Sequence, residues 1–215
     1  MKTRPSPSSA EPSRIGPNVV IQLGEALSAR GEDGLAREVY RAAGHSDWIA
    51  APPGEMVSEI EVARLHGALA RLAPSGLVDD IMADAGARTG DYIVANRIPA
   101  PARMMFRLLP APLAARLLVE AIAKHAWTFA GSGAFSFRTG RPLVVEIAAN
   151  PLAGPPRSKP GCVWHEAVFT RLFRSLVSDR ARARETACCA AGDPACRFEI
   201  EWSGDAVRAA VPATS

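Results

Sequence analysis

The sequence predicts an α+β fold in which N-terminal helices pack on an antiparallel sheet made of C-terminal hairpins. Three observations carry this expectation. Apolar residues recur at helical spacing up to Gly131, the period then drops to two, and the turn-forming clusters Thr139-Gly140 and Gly192-Asp193-Pro194 divide the second part into paired strands. With 215 residues, 48% of them hydrophobic, the chain can bury a substantial core, and one domain over residues 18–204 is expected.

Residues 1–17, MKTRPSPSSAEPSRIGP, alternate Pro, Ser and charge without an apolar run. They read as a disordered lead, neither signal peptide nor membrane span, and residues 205–215 read as a flexible tail. No stretch approaches the roughly eighteen uninterrupted apolar residues of a transmembrane helix, so a cytoplasmic protein is expected, with partners as a route to membrane association. The net charge of +3, from 25 basic and 22 acidic residues, is scattered and makes no case for nucleic acid.

The helices follow in order. NVVIQLGEALSA starts at an expected Asn18 cap and sets Val20, Leu23 and Leu27 on one face. A second helix, near 32–43, buries Leu35 and Val39. A third, near 55–73, carries Val62, Leu65, Leu69 and Leu72. A fourth starts near Ser75 with Leu77, Ile81, Ala85 and Tyr92 as its stripe. Prolines 99, 101, 110 and 112 bracket a short helix, ARMMFRLL, and the apolar PLAARLLVEAIAKHAWTF follows as one central helix. GAFSFRTGRPLVVEIA then alternates as a hairpin, a Pro-rich loop leads into the helix CVWHEAVFTRLFRSLVS, and strands near 181–190 and 195–202 close the chain. Cys196, Phe198, Ile200 and Trp202 share one face of the last strand.

The four cysteines are Cys162, Cys188, Cys189 and Cys196. If the last two strands turn about Gly192, residues whose numbers sum to 384 face each other, which sets Cys188 opposite Cys196 and turns Cys189 away. A slip of one residue would exchange Cys188 and Cys189. Two thiolates on one face are half of a tetrahedral zinc site, with Cys162 as the natural third ligand and Glu146, His165 or Cys189 as the fourth. A Cys188–Cys196 disulfide and three free core thiols remain as alternatives, the disulfide disfavoured by a reducing compartment.

ETACCAAGDPACRFEI resembles the closing signature of the 4-vinyl reductase domain, in which a Glu, a Cys three residues on, Gly-Asp and a final Cys-x-Phe recur in order. VVEIAANPLA and GCVWHEAVF resemble its earlier elements, placing the signature in about 131–202. The N-terminal segments IGPNVVIQLGEAL, PPGEMVSEIEVARLHGAL, RTGDYIVANRIP and HAWTFAGSGAFSF resemble the bacteriochlorophyll 4-vinyl reductases. The resemblance implies a fold shared with phenol-sensor domains and a vesicle-tethering subunit, a homodimer, and a hydrophobic ligand between helices and sheet. It also implies a structural zinc held by a Glu and three Cys, here Cys162, Cys188 and Cys196, with Glu146 taken as the carboxylate.

That resemblance implies a chlorophyll-precursor Mg-tetrapyrrole as ligand and the enzymes of the bacteriochlorophyll pathway as partners. Reduction of its vinyl group needs a hydride or electron donor, and the sequence carries no NAD(P) or flavin motif: the GSG at 131–133 leads into a strand. A carrier or accessory role is therefore expected, with direct vinyl reduction and a sensing or scaffold role as alternatives. His125, sharing a helical face with Leu118, Ile122 and Phe129, is the expected axial ligand. Met104, Met105, Phe106, Trp127, Trp164 and Phe169 are expected pocket lining, and Arg103 an expected partner for a propionate. His66 and His45, in polar stretches, are expected at the surface.

Overall fold

The computed structural model describes residues 13–202. Its elements run β1 (Arg14–Ile15), α1 (Asn18–Ala29), α2 (Asp33–Ala43), β2 (Val57–Ser58), α3 (Glu59–Leu72), α4 (Ser75–Asn96), α5 (Ala100–Leu108), α6 (Ala111–Lys124), α7 (Trp127–Ala130), β3 (Ala134–Arg138), β4 (Leu143–Ala148), α8 (Val163–Leu176), β5 (Arg182–Ala187) and β6 (Ala195–Glu201). The expected α+β architecture is present: the helices come first and the four-stranded antiparallel sheet, in the order β3-β4-β6-β5, comes last.

The expected lead is structured at its end. Arg14 and Ile15 pair with Ser58 and Val57, Ile15 is buried, and the Gly16 amide donates to the Thr128 carbonyl at 2.7 Å. Residues 1–12 and the expected tail lie outside the described residues. Asn18 caps nothing, because Pro17 occupies the N-cap position. The expected third helix starts late for the same local reason: Val57 and Ser58 are drawn into the small sheet, and Ser58 becomes the cap, its hydroxyl accepting from the Ile60 amide.

The expected central helix breaks. His125 leaves helical geometry (φ −114°, ψ 9°), and Thr128 claims the His125 carbonyl with both its amide (2.9 Å) and its hydroxyl (2.8 Å), so a second short helix starts after the break. Gly131 ends that helix with φ 55°, where any Cβ would collide with the Glu59 carboxylate, itself bound to the Ser132 amide.

The main sheet has two unlike faces. Phe135 and Phe137 of β3, Leu143, Val145 and Ile147 of β4, and Cys196, Phe198 and Ile200 of β6 pair across the ladders on the inner face. Trp202 is buried just beyond them. Glu146 opposite Arg197 and Arg184 opposite Glu199 mark the outer face. Helix α8 lies on the inner face through Val168, Phe169, Leu172 and Phe173 and is covered in turn by α4. The α4–α8 crossing is close because α4 offers Gly86 and Gly90, where a Cβ would meet Trp164 O and Ala167 Cβ, or Arg171 Cβ at 2.7 Å.

Candidate metal centre

The centre forms where the N-terminus of α8 meets the far end of the β5–β6 hairpin. The hairpin ladder pairs Glu185 with Phe198 and then Ala187 with Arg197, so Thr186 is an extra, bulged residue. Beyond the bulge the pairing sum is the expected 384, and Cys188 comes to Cys196, Sγ to Sγ 3.9 Å. Before it the sum is 383, which turns Glu185 inward alongside Phe198. Cys162, at the N-cap position of α8, closes the triangle at 3.6 Å from Cys188 Sγ and 3.5 Å from Cys196 Sγ.

One ligand atom from each of Cys162, Glu185, Cys188 and Cys196 lies within 4.8 Å of the others, and all four residues are buried. A tetrahedral zinc with Zn–S bonds of about 2.3 Å separates its sulfurs by about 3.8 Å, so the three thiols already stand at metal-site spacing. The carboxylate fits as fourth ligand. Glu185 Oε2 accepts from the amides of Gly161 (2.5 Å) and Cys162 (2.6 Å), while the buried Oε1 has no partner. A buried carboxylate oxygen without a partner, on a residue of a cluster with three thiols, is costly unless something binds it.

Glu146, the expected carboxylate, is elsewhere. It sits on the outer face of β4, bound by Arg197 at 2.7–2.8 Å, because strand alternation sends it away from Ile147 and Cys196. His165 is not a ligand of the cluster either, and Cys189 points its thiol to the Ile147 carbonyl at 3.8 Å. Neighbouring groups hold the cluster's side chains in place. The Cys188 amide donates to Asp193 Oδ2 at 2.8 Å, the Cys189 amide to Cys196 Sγ at 3.4 Å, and the Glu185 amide to Glu166 Oε2 at 3.0 Å. Its hydrogen bond with Cys162 pulls the Cys196 thiol down to about 6, and the same contact together with burial pushes Cys162 well up. Burial pushes Cys188 up to about 11. The bare cluster thus favours a thiolate on Cys196 flanked by thiols.

The expected pigment-site residues scatter. Phe106, Trp164 and Phe169 are buried, and Phe129 is half-buried against Phe135 and Phe169. Met104, Met105 and Trp127 are 68%, 48% and 60% exposed. Arg103 turns back on α4 and donates to the carbonyls of Val94, Ala95 and Ile98 at 2.8–3.1 Å, so it caps a helix terminus. His125 is exposed, its Nδ1 3.0 Å from the Ala121 carbonyl, because the helix break removes it from the Leu118–Ile122 face.

The buried imidazoles are two others. His66, expected at the surface, and His165 are both enclosed, their Nε2 atoms without partners, and burial pulls them down to about 4 and about 3, so both are neutral at pH 7. His45 is half-buried and stacks on Trp48 at 3.6 Å. His66 and His165 line one cleft with Trp164, Met82, Leu152 and Cys162, of about 50 Å3. On its sheet side His165 lies among Phe129, Phe169 and Phe198, ring centroids 5.8–6.3 Å away. Sequence reasoning missed Glu185 although the quoted signature begins with it; alternation with Ala183 turns it inward, and the bulge that brings Cys188 to the same side leaves no mark in a two-residue period.

Residues 143–202, which hold all four residues of the cluster, match the V4R domain. Over most of its length the chain is 50% identical to the bacteriochlorophyll synthase 23 kDa chain of Cereibacter sphaeroides, across 188 residues, 87% of this chain and 90% of that one. The protein of the same name from Rhodobacter capsulatus is 39% identical over 202 residues, 93% of this chain and 92% of that one. The chain belongs to the family of the bacteriochlorophyll synthase 23 kDa chain. In fold it is also similar to H-NOX proteins: the Fe(II) unliganded protein from K. algicida superposes with TM-score 0.58 at 11% identity (89% of this chain, 98% of that one). The protein from S. oneidensis does so with TM-score 0.52 at 9% identity (88% and 99%).

Proposed function

We propose that the chain is a tetrapyrrole-binding accessory protein of bacteriochlorophyll synthesis, working in the cytoplasm as a homodimer and braced by a structural zinc ion at Cys162, Glu185, Cys188 and Cys196. The relatives' name supports the pathway. The zinc reading rests on the sulfur spacing and the unpaired Glu185 Oε1. Because the protein fills all four positions, such an ion supplies cohesion, tying β5–β6 to the start of α8.

The observation that carries pigment binding is His165, a neutral imidazole with a free Nε2 set among aromatic rings. It replaces His125 as the axial ligand for a magnesium tetrapyrrole. A further matching H-NOX structure, with TM-score 0.55, concerns heme distortion in that family, which supports a fold able to carry a macrocycle. The cleft beside His165 is smaller than the roughly 300–1,000 Å3 of typical ligand pockets, so a macrocycle needs the loop between β4 and α8 to part from α3 and α4. Carrying the pigment to the next enzyme of the pathway follows from such a role.

The test is a titration of the purified protein with a divinyl Mg-porphyrin, reading the Soret band, followed by NADPH or reduced ferredoxin and chromatography of the vinyl group. A shifted band without conversion is the expected result. Conversion would instead support a 4-vinyl reductase acting directly, and an unshifted band a sensing or scaffold domain. Metal analysis of the same preparation is expected to give one zinc per chain, and a folded, metal-free protein would overturn the zinc reading.

A further inference from the structure

The turn between α5 and α6 carries an apolar surface that the fold leaves uncovered. Helix α5 buries a single residue, Phe106, yet Met104, Met105 and Leu108 stand 68%, 48% and 81% exposed. At 100° per residue these three span one side of the helix, with Arg107 flanking them. Leu109 and Pro110 then lead into α6, whose outward stripe begins with Leu113, 45% exposed, and continues through Arg116 and Lys124. Exposed apolar side chains grouped on one side of a helix are candidates for a contact surface.

The charge around this surface identifies what it fits. From Arg97 to Lys124 the chain holds Arg97, Arg103, Arg107, Arg116 and Lys124 against one acid, Glu120, which Arg116 binds at 2.9 Å. Arg103 is spent on the end of α4, whereas Arg97, Arg107 and Lys124 reach solvent. Exposed apolar side chains in a stretch with an excess of exposed cations, Arg107 among them on α5 itself, match an anionic bilayer surface, where the apolar groups enter the interface and the cations meet lipid phosphates. No described helix is long and apolar enough to cross a membrane, so such binding is peripheral.

We propose that the α5–α6 corner docks this protein directly on anionic membrane surfaces through Met104, Met105, Leu108 and Leu113, with Arg107 as the principal basic contact. This docking is independent of pigment or metal binding. The test is co-sedimentation of the full chain with phosphatidylglycerol-containing and pure phosphatidylcholine vesicles, at low and high salt. Wild type is expected to pellet with the anionic vesicles only and to be released by salt. M104S/L108S is expected to lose pelleting at least tenfold with unchanged melting temperature, and R107A to bind about fivefold more weakly. Absence of pelleting, or equal pelleting of wild type and M104S/L108S, would overturn the proposal. So would a dimer that M104S/L108S dissociates while wild type ignores vesicles, which would make the corner an interface between copies.

Discussion

Glu185 and Cys188 lie three residues apart, the wrong parity for one face of a strand, yet both point into the same metal-site-sized space. The bulge at Thr186 reconciles them. Alternation alone sends Glu146 outward to Arg197 and Glu185 inward beside Ala183, and the bulge then returns Cys188 to the Glu185 side.

This contrast separates two variants. Glu185→Gln, which keeps shape and removes the charge, is expected to weaken zinc binding by at least tenfold, and Asp193→Ala by tenfold to a hundredfold through the Cys188 amide it holds. Glu146→Gln is expected to leave metal content unchanged and to cost under about 1 kcal/mol, since its pair with Arg197 is partly exposed. Competition with a chromophoric chelator reads all three. Affinity is also expected to fall as pH drops, because the thiols must give up protons to bind.

His66 gives the protein an acid sensitivity of its own. Its folded value near 4 lies below the ordinary 6.5, so between those limits the unfolded chain binds more protons. Stability is therefore lost as pH falls from about 6.5 towards 4 and levels off below, with about 2 kcal/mol gone by pH 5. Urea denaturation at pH 7.5 and pH 5 checks this. His66→Gln should be less stable at pH 7.5 yet show a shallower decline.

Gly86 sets the spacing of α4 and α8. Gly86→Ala drives a methyl against the Trp164 carbonyl and Ala167 and is expected to cost about 1–3 kcal/mol. Gly76→Ala, on the same helix with nothing within 4 Å, is expected to be neutral or to stabilise by less than about 1 kcal/mol. Thermal melts of the two variants give the comparison.

Arg103→Ala tests the reassignment of that side chain from pigment to helix end. Losing three carbonyl contacts at a half-exposed site is expected to cost about 1–2 kcal/mol, with no change in the Soret titration. A weakened titration at full stability would return Arg103 to the pocket.

The helices, the hairpins and the meeting of Cys162, Cys188 and Cys196 were legible in the sequence, because hydrophobic period and turn residues report directly on faces and pairing. What escaped depends on single local competitions. Thr128 takes the His125 carbonyl and breaks a helix whose apolar pattern continues unbroken, which moves His125 outside. The stretch around His66 reads as polar because Arg64 precedes it, yet Leu65, Ala68 and Leu69 place that part of α3 in the core. Glu185 follows the arginines of RARARE, whose alternation with Ala183 already turns it inward, but the bulge that brings Cys188 to the same side is not visible in the sequence.

The strand order carries a consequence for how the molecule is made. Strand β6 is made after β5 yet sits between β4 and β5. Until it emerges, β5 has no ladder to join, and Cys162 and Cys188 wait without Cys196. Nascent chains stalled before Ala195 should therefore hold a helical half and one hairpin but expose β5 to proteases, so β6 acts as the closing stitch.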